Sequence, residues 1–183
     1  NSFYDGTFPN PIPGDVSVLL GKGDGTFQAQ QRFAAGNLPA SIRLGDLNGD
    51  GRLDIATANV FSSDVSVLLG NGNGTFQRQL LFTVGLYPLS IALGDLNGDG
   101  GLDIATTNDG SYDVSVLLGN GDGTFQSQWR FPAGDGPGLI ALGDLNGDGR
   151  LDIATSLWVL FGNGDGTFQA PQRFDLASRH EEY

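Results

Sequence analysis

One acidic loop recurs three times at an interval of 49 residues: Asp46-Leu-Asn-Gly-Asp-Gly-Arg-Leu-Asp54, Asp95-Leu-Asn-Gly-Asp-Gly-Gly-Leu-Asp103 and Asp144-Leu-Asn-Gly-Asp-Gly-Arg-Leu-Asp152. A second marker, Gly21-Lys-Gly-Asp-Gly-Thr-Phe27, returns as Gly70 to Phe76, Gly119 to Phe125 and Gly162 to Phe168. Self-similarity at this period restricts the chain to repeat architectures, in which one supersecondary unit is stacked on the next.

The unit reads as four short antiparallel strands. In residues 90–131, Ser90-Ile-Ala-Leu is a first strand, the acidic loop follows, and Leu102-Asp-Ile-Ala-Thr-Thr is a second. Asp113-Val-Ser-Val-Leu-Leu is a third, and Phe125-Gln-Ser-Gln-Trp-Arg-Phe131 is a fourth beyond a Gly/Asn/Asp hairpin turn. Alternating apolar residues and 30 glycines argue against long helices. The expected fold class is all-β: a β-propeller built of four-stranded antiparallel blades, about three and a half in this chain, with the acidic loops between strands one and two.

The acidic spacing suits a hard divalent cation, which takes six to eight oxygens. Asp46, Asn48, Asp50 and Asp54 put side-chain oxygens at loop positions 1, 3, 5 and 9, and the Arg52 carbonyl supplies position 7. The corresponding sets are Asp95, Asn97, Asp99, Gly101 and Asp103, and Asp144, Asn146, Asp148, Arg150 and Asp152. These are the first nine positions of an EF-hand ligand pattern without its Glu at position 12 and without flanking helices. A plain Gly/Asp/Asn turn would not require three mutually repelling carboxylates in every copy. The expectation is about three Ca²⁺, one per complete blade.

Charge agrees. The chain carries 21 acidic and 9 basic residues, and nine of the acids lie in the three loops; three divalent ions would bring the formal charge from −12 to −6. An acidic surface without a Lys/Arg cluster argues against nucleic acid as a partner, and no apolar run is long enough for a membrane-inserted helix. With no cysteine, disulfide frameworks and thiol metal sites are excluded. Abundant calcium ligands and the lack of a starting Met lead us to expect a secreted or cell-surface protein.

The strand, the Asp-Leu-Asn-Gly-Asp-Gly-x-Leu-Asp loop and the downstream Val-Leu-Leu-Gly-x-Gly-x-Gly-Thr-Phe segment together resemble the FG-GAP or VCBS repeat family, over roughly residues 14–174. That resemblance implies the calcium-bearing propeller blades of integrin α chains, fungal propeller lectins and many secreted bacterial proteins. It does not imply one function.

The domain reading has residues 1–13 as an N-terminal extension or connecting segment, 14–33 as a half blade, 41–82, 90–131 and 139–174 as complete blades, and 175–183 as a polar tail. Closed propellers have four or more blades, so the exposed half blade is expected to pair with another copy, in a ring or filament, or with a parent chain. In the last blade, six residues between strands two and three are absent relative to the preceding unit.

Catalysis finds no constellation. The only histidine, His180, lies in the polar tail, and an acid pair repeated in every blade reads as structural. The protein is expected not to be an enzyme. Departures from the repeat mark candidate partner or ligand contacts: Leu80 and Trp129 stand where Gln31 and Gln172 occur, and Trp158 stands where Ser17, Ser66 and Ser115 occur. Local packing between blades is the plainer reading, and a protein interface or sugar-stacking platform the sharper one. Tyr87, Phe61 and Tyr112 lie in the variable connections, the usual carriers of recognition. Asn73-Gly-Thr75 is a glycosylation sequon where the other units have Asp. The phenylalanines in register, Phe27, Phe76, Phe125 and Phe168 with Phe33, Phe82, Phe131 and Phe174, are expected in the core. The leading function is a non-enzymatic, calcium-stabilised extracellular module for structure, adhesion or self-assembly through exposed blade edges. The alternatives are a carbohydrate-binding propeller lectin or an accessory propeller of a larger secreted protein.

Overall fold

A computed structural model describes residues 13–174, and those residues form fourteen β-strands. The expectations for residues 1–12 and for the tail with His180 fall outside the described residues. Strands β1 (Pro13–Val18) and β2 (Gln31–Asn37) make a two-stranded sheet. Three four-stranded antiparallel meanders follow. They are β3 (Pro39–Gly45), β4 (Asp54–Asn59), β5 (Asp64–Leu68) and β6 (Leu80–Thr83); then β7 (Pro88–Gly94), β8 (Asp103–Asn108), β9 (Asp113–Leu117) and β10 (Trp129–Pro132); then β11 (Ile140–Gly143), β12 (Asp152–Thr155), β13 (Trp158–Leu160) and β14 (Gln172–Arg173). The fold is therefore all-β, with four-stranded blades stacked side by side and the sheets not closed into a ring.

The blades pack face to face, because each strand puts alternate apolar residues on opposite faces. Val65 and Val67 on β5, with Ala56 and Ala58 on β4, cover Ile91, Ile104, Leu117 and Phe125 of the next blade. An edge-to-face aromatic pair repeats at each junction: Phe33 with Phe76, Phe82 with Phe125 and Phe131 with Phe168, at 5.1 to 5.2 Å between centroids. Along the first strands, the Ile91 amide donates to Ser41 Oγ and the Ile140 amide to Ser90 Oγ, each at 3.3 Å.

Two expectations are corrected. The outermost strands are shorter than the sequence implies: Phe125 bridges Gly119 to close its hairpin, and ladder pairing resumes only at Trp129. Phe27 and Phe174 are not core residues but 60% and 57% exposed, because each lies at an end of the array where no further blade among the described residues supplies its aromatic partner.

In the last blade, the segment between strands two and three is a tight turn over Ser156 and Leu157, where the Trp158 amide donates to Thr155 Oγ1 at 3.1 Å. The alternation survives the deletion, since Val159 stays buried opposite Ala154.

Candidate calcium loops and contact surface

Each acidic loop is built by its own side chains capturing its own amides. In the first, Asp46 accepts the Asp50 amide at 3.1 Å and the Gly51 amide at 2.8 Å, and Asp50 accepts the Arg52 amide at 2.9 Å. Asn48 accepts the Asp50 amide at 3.1 Å and donates to the Asp50 carboxylate at 3.2 Å. Gly51 at position 6 has φ of 80°, a left-handed turn that glycine makes without strain. The other two loops repeat these bonds with Asp95, Asn97 and Asp99 and with Asp144, Asn146 and Asp148. The position-7 residues are Arg52, Gly101 and Arg150. Arg52 and Arg150 also extend their guanidinium groups to within 3.7 and 4.0 Å of Asp50 and Asp148.

The ninth-position acids are placed differently. Asp54, Asp103 and Asp152 are fully buried. Asp54 turns one oxygen to the Leu47 amide at 2.8 Å and the other to the Gly70 amide at 2.7 Å. Asp103 does the same with Leu96 and Gly119, and Asp152 with Leu145 and Gly162, all at 2.8 Å. Each one clamps its loop to the hairpin that follows the third strand. Among the described residues no three acidic side chains converge into a ready-made cation cage. The donors are all hard oxygens, the set that calcium takes; Asp50, Asp99 and Asp148 at position 5 are exposed in all three loops, while Asp46, Asn48, Asp95 and Asn97 are half-buried.

The electrostatics separate the two kinds of acid. Amide bonds, chiefly from Gly51, Gly101 and Gly149, hold the Asp46, Asp99 and Asp144 carboxyls below the ordinary aspartate range. Burial pushes the Asp103 carboxyl up; the Gly119 and Leu96 amides pull it back, and the charges of Asp99 and Asp95 add to the rise. A cation among the three would reverse that repulsion.

The candidate contact residues do not gather into one site. Leu80 on β6 and Trp129 on β10 are exposed at equivalent positions on neighbouring blades, opposite Val67 and Val116. Trp158 is half-buried and lies against Gly134, where an added Cβ would come within 2.1 Å of its ring; its indole Nε1 is buried without a hydrogen-bond partner among the described residues. Phe61, Tyr87 and Tyr112 are exposed on connecting loops. Tyr112 borders a small cleft of about 250 Å³ beside Asp113 and Arg130. Asn73 is exposed in its hairpin, and its Oδ1 accepts the Thr75 amide at 3.0 Å and hydroxyl at 2.7 Å.

A polar cluster between blades escaped the sequence reading. Asn59 Nδ2 donates to Asp64 at 2.7 Å and to Ser66 Oγ at 2.9 Å, and Ser66 Oγ also accepts the Gly36 amide from the preceding blade. Asn108, Asp113, Ser115 and Gly85 repeat it. The signal was available as Asn and Ser recurring at the repeat interval inside apolar strands.

Comparison with known proteins agrees with the repeat architecture. The FG-GAP-like repeat profile matches residues 10–57, 46–106 and 95–155. Among solved structures, the chain is similar to an Agrocybe aegerita lectin described for recognition of non-reducing terminal N-acetylglucosamine, with 26% identity, a TM-score of 0.57, and coverage of 87% of this chain and 46% of that one. It is also similar to the V. cholerae biofilm matrix protein Bap1, with 18% identity, a TM-score of 0.47, and coverage of 88% and 30%. The chain thus spans less than half the length of these structures. Among curated proteins no sequence match is found. On the profile match across most of its length, the chain belongs to the FG-GAP-like repeat family.

Proposed function

We propose that this chain is a non-enzymatic, calcium-stabilised segment of an extracellular β-propeller that assembles with further copies through its two open ends. One observation carries the reading: among the described residues, the aromatic pair made at every internal junction is left half-made at both ends, by Phe27 and by Phe174. Stacking the last blade of one copy on the half blade of the next would complete it, a head-to-tail contact that yields a ring or filament. Calcium held by Asp46, Asn48, Asp50 and the Arg52 carbonyl, and by the matching sets in the other loops, would neutralise the acidic rim. Its binding energy would then be folding energy.

Light scattering behind a sizing column tests assembly. Calcium-loaded protein is expected above 19.2 kDa, and Phe174→Ser is expected to return it to the monomer. A monomer at every concentration would refute self-assembly.

A second reading, glycan binding, is favoured by the lectin likeness together with the exposed Trp129 beside Arg130 on an outer strand. Retention on a glycan array, lost on Trp129→Ala, would support it.

A further inference from the structure

The outer strand of every blade is a sheet edge, and three of the four carry devices that keep such an edge from pairing. Opposite Ser17, Ser115 and Trp158 of the third strands, β2, β10 and β14 place Arg32, Arg130 and Arg173. Strand β10 also holds Pro132, and Pro171 precedes β14. Strand β6 has neither charge nor proline. It reads Leu80-Leu81-Phe82-Thr83, and Leu80 and Leu81, on opposite faces, are 38% and 55% exposed.

Leucine in place of arginine leaves a charge unmet. Asp113 accepts Asn108 and Ser111 on one carboxylate oxygen and the Arg130 guanidinium on the other, and is buried. Asp15 pairs with Arg32 in the same way. Asp64 holds the matching place on β5 and accepts Asn59 and Ser62 on Oδ1, but its Oδ2 has no partner among the described residues, and it is only half-buried. The arginine of this blade stands three positions upstream, at Arg78, where the other units have Ala29, Ser127 and Ala170. Arg78 is exposed and has no carboxylate partner among the described residues. It lines one cleft with Gln79 and Leu68, and the Gln79 side chain accepts the Ser66 hydroxyl at 2.8 Å. Arg78 therefore lies on the sheet face that carries Ser66 and Asp64.

A strand with a free cation at its start, an unmet carboxylate beside its end and leucines between complements itself. Two copies of β6 paired antiparallel about Leu81 exchange their ends, so that position 78 of each lies opposite position 84 of the other. Asp64 is then two strand spacings away, about 10 Å, a gap that an extended arginine and an aspartate close together. We infer that β6 is a lateral docking edge for β6 of a second copy, a two-fold contact in which Leu81 meets Leu81 and Arg78 of each copy meets Asp64 of the other. The contact is side by side and does not rest on the end-to-end stacking proposed above. A pair of four-residue strands is weak alone, with a dissociation constant of about 0.1 to 1 mM, so it joins assemblies laterally and leaves the dilute chain single.

The test uses the whole chain in calcium with Phe174→Ser, which removes the end contact, and reads sedimentation equilibrium up to about 1 mM protein. A reversible dimer of twice 19.2 kDa is expected at the upper end. Leu81→Arg restores the residue that β2, β10 and β14 carry. It should abolish the dimer while the melting temperature equals or exceeds that of the parent. Arg78→Ser, the residue of the next blade, should weaken the dimer roughly threefold to tenfold, because the two-fold loses two ion pairs. The chain has no cysteine, so Leu81→Cys adds a single thiol that the two-fold sets opposite its mate. Its oxidation should cross-link two copies faster than that of Thr83→Cys, which lies opposite Gln79 of the partner. A monomer throughout, a dimer that survives Leu81→Arg, or cross-linking no faster at position 81 than at 83 would overturn the inference. Failure of the end-to-end reading shows separately, as a dilute parent chain that stays monomeric while these results hold.

Discussion

The buried carboxylate of Asp103 accepts the Gly119 amide from 16 residues downstream at 2.8 Å, and so fastens the acidic loop to the third-strand hairpin. Its other oxygen holds the Leu96 amide. Asp103→Ala strands both buried amides, and a destabilisation of about 2 to 4 kcal/mol is expected. Asp103→Asn keeps one acceptor and should cost clearly less. Chemical denaturation of both variants checks the order; equal losses would contradict the clamp.

The first glycine of the hairpin marker is judged by its surroundings. At Gly70 an added Cβ meets the Leu53 carbonyl at 2.2 Å, and Gly70→Ala is expected to cost roughly 1 to 3 kcal/mol or more. Gly21→Ala, where the added Cβ meets nothing among the described residues, should fall within about 0.5 kcal/mol of the parent. Thermal melts of the two variants give the comparison, and similar losses at both positions would count against the difference in their surroundings.

The hairpin turns confer a pH dependence. Asp24, Asp122 and Asp165 each accept the hydroxyl and the amide of the threonine two residues on, and those bonds, the hydroxyl foremost, hold the carboxyls below their ordinary value. Depressed carboxyls contribute stability that is fully present above their unfolded value near about 3.9 and is lost as pH falls through the folded value. Asn73 makes the same bonds without titrating. Replacing all three aspartates by Asn should flatten the fall in melting temperature below about pH 4. Parallel curves for parent and variant would exclude this source.

Backbone strain sits at a matched pair of loop positions. Leu38 and Tyr87 adopt φ of 54° and 55° where the third connection has Gly136 at 60°. Leu38 is exposed, so Leu38→Gly should relieve the left-handed strain for a net gain of about 0.5 to 1 kcal/mol after the entropy of glycine is counted. A loss of stability would show that the Leu38 side chain packs more strongly than its exposure implies.

Blade architecture was legible because a 49-residue repeat leaves few ways to bury apolar residues at every second position. The strand order, the half blade and the loops between strands one and two all follow from that constraint. Two properties did not. Whether Phe27 and Phe174 are buried depends on the neighbouring blade, which repetition in register cannot report. The direction of the Asp54, Asp103 and Asp152 carboxylates depends on amides from the following hairpin, so a linear ligand pattern could not separate a clamp from a rim donor. Trp158 shows the same limit: its replacement of a serine was visible, but its seat against Gly134 belongs to the adjoining connection.

The measurement that bears most directly on the account is thermal unfolding of the whole chain with and without calcium after exhaustive chelation. Calcium at a hundredfold above its dissociation constant stabilises by about 2.7 kcal/mol per site, which for a chain of this size is a rise of roughly 5 to 10 °C per site. A saturable rise of at least that size, diminished by Asp95→Ala but not by Asp109→Ala, is the predicted result. Identical melting curves in the presence and absence of calcium would contradict the account.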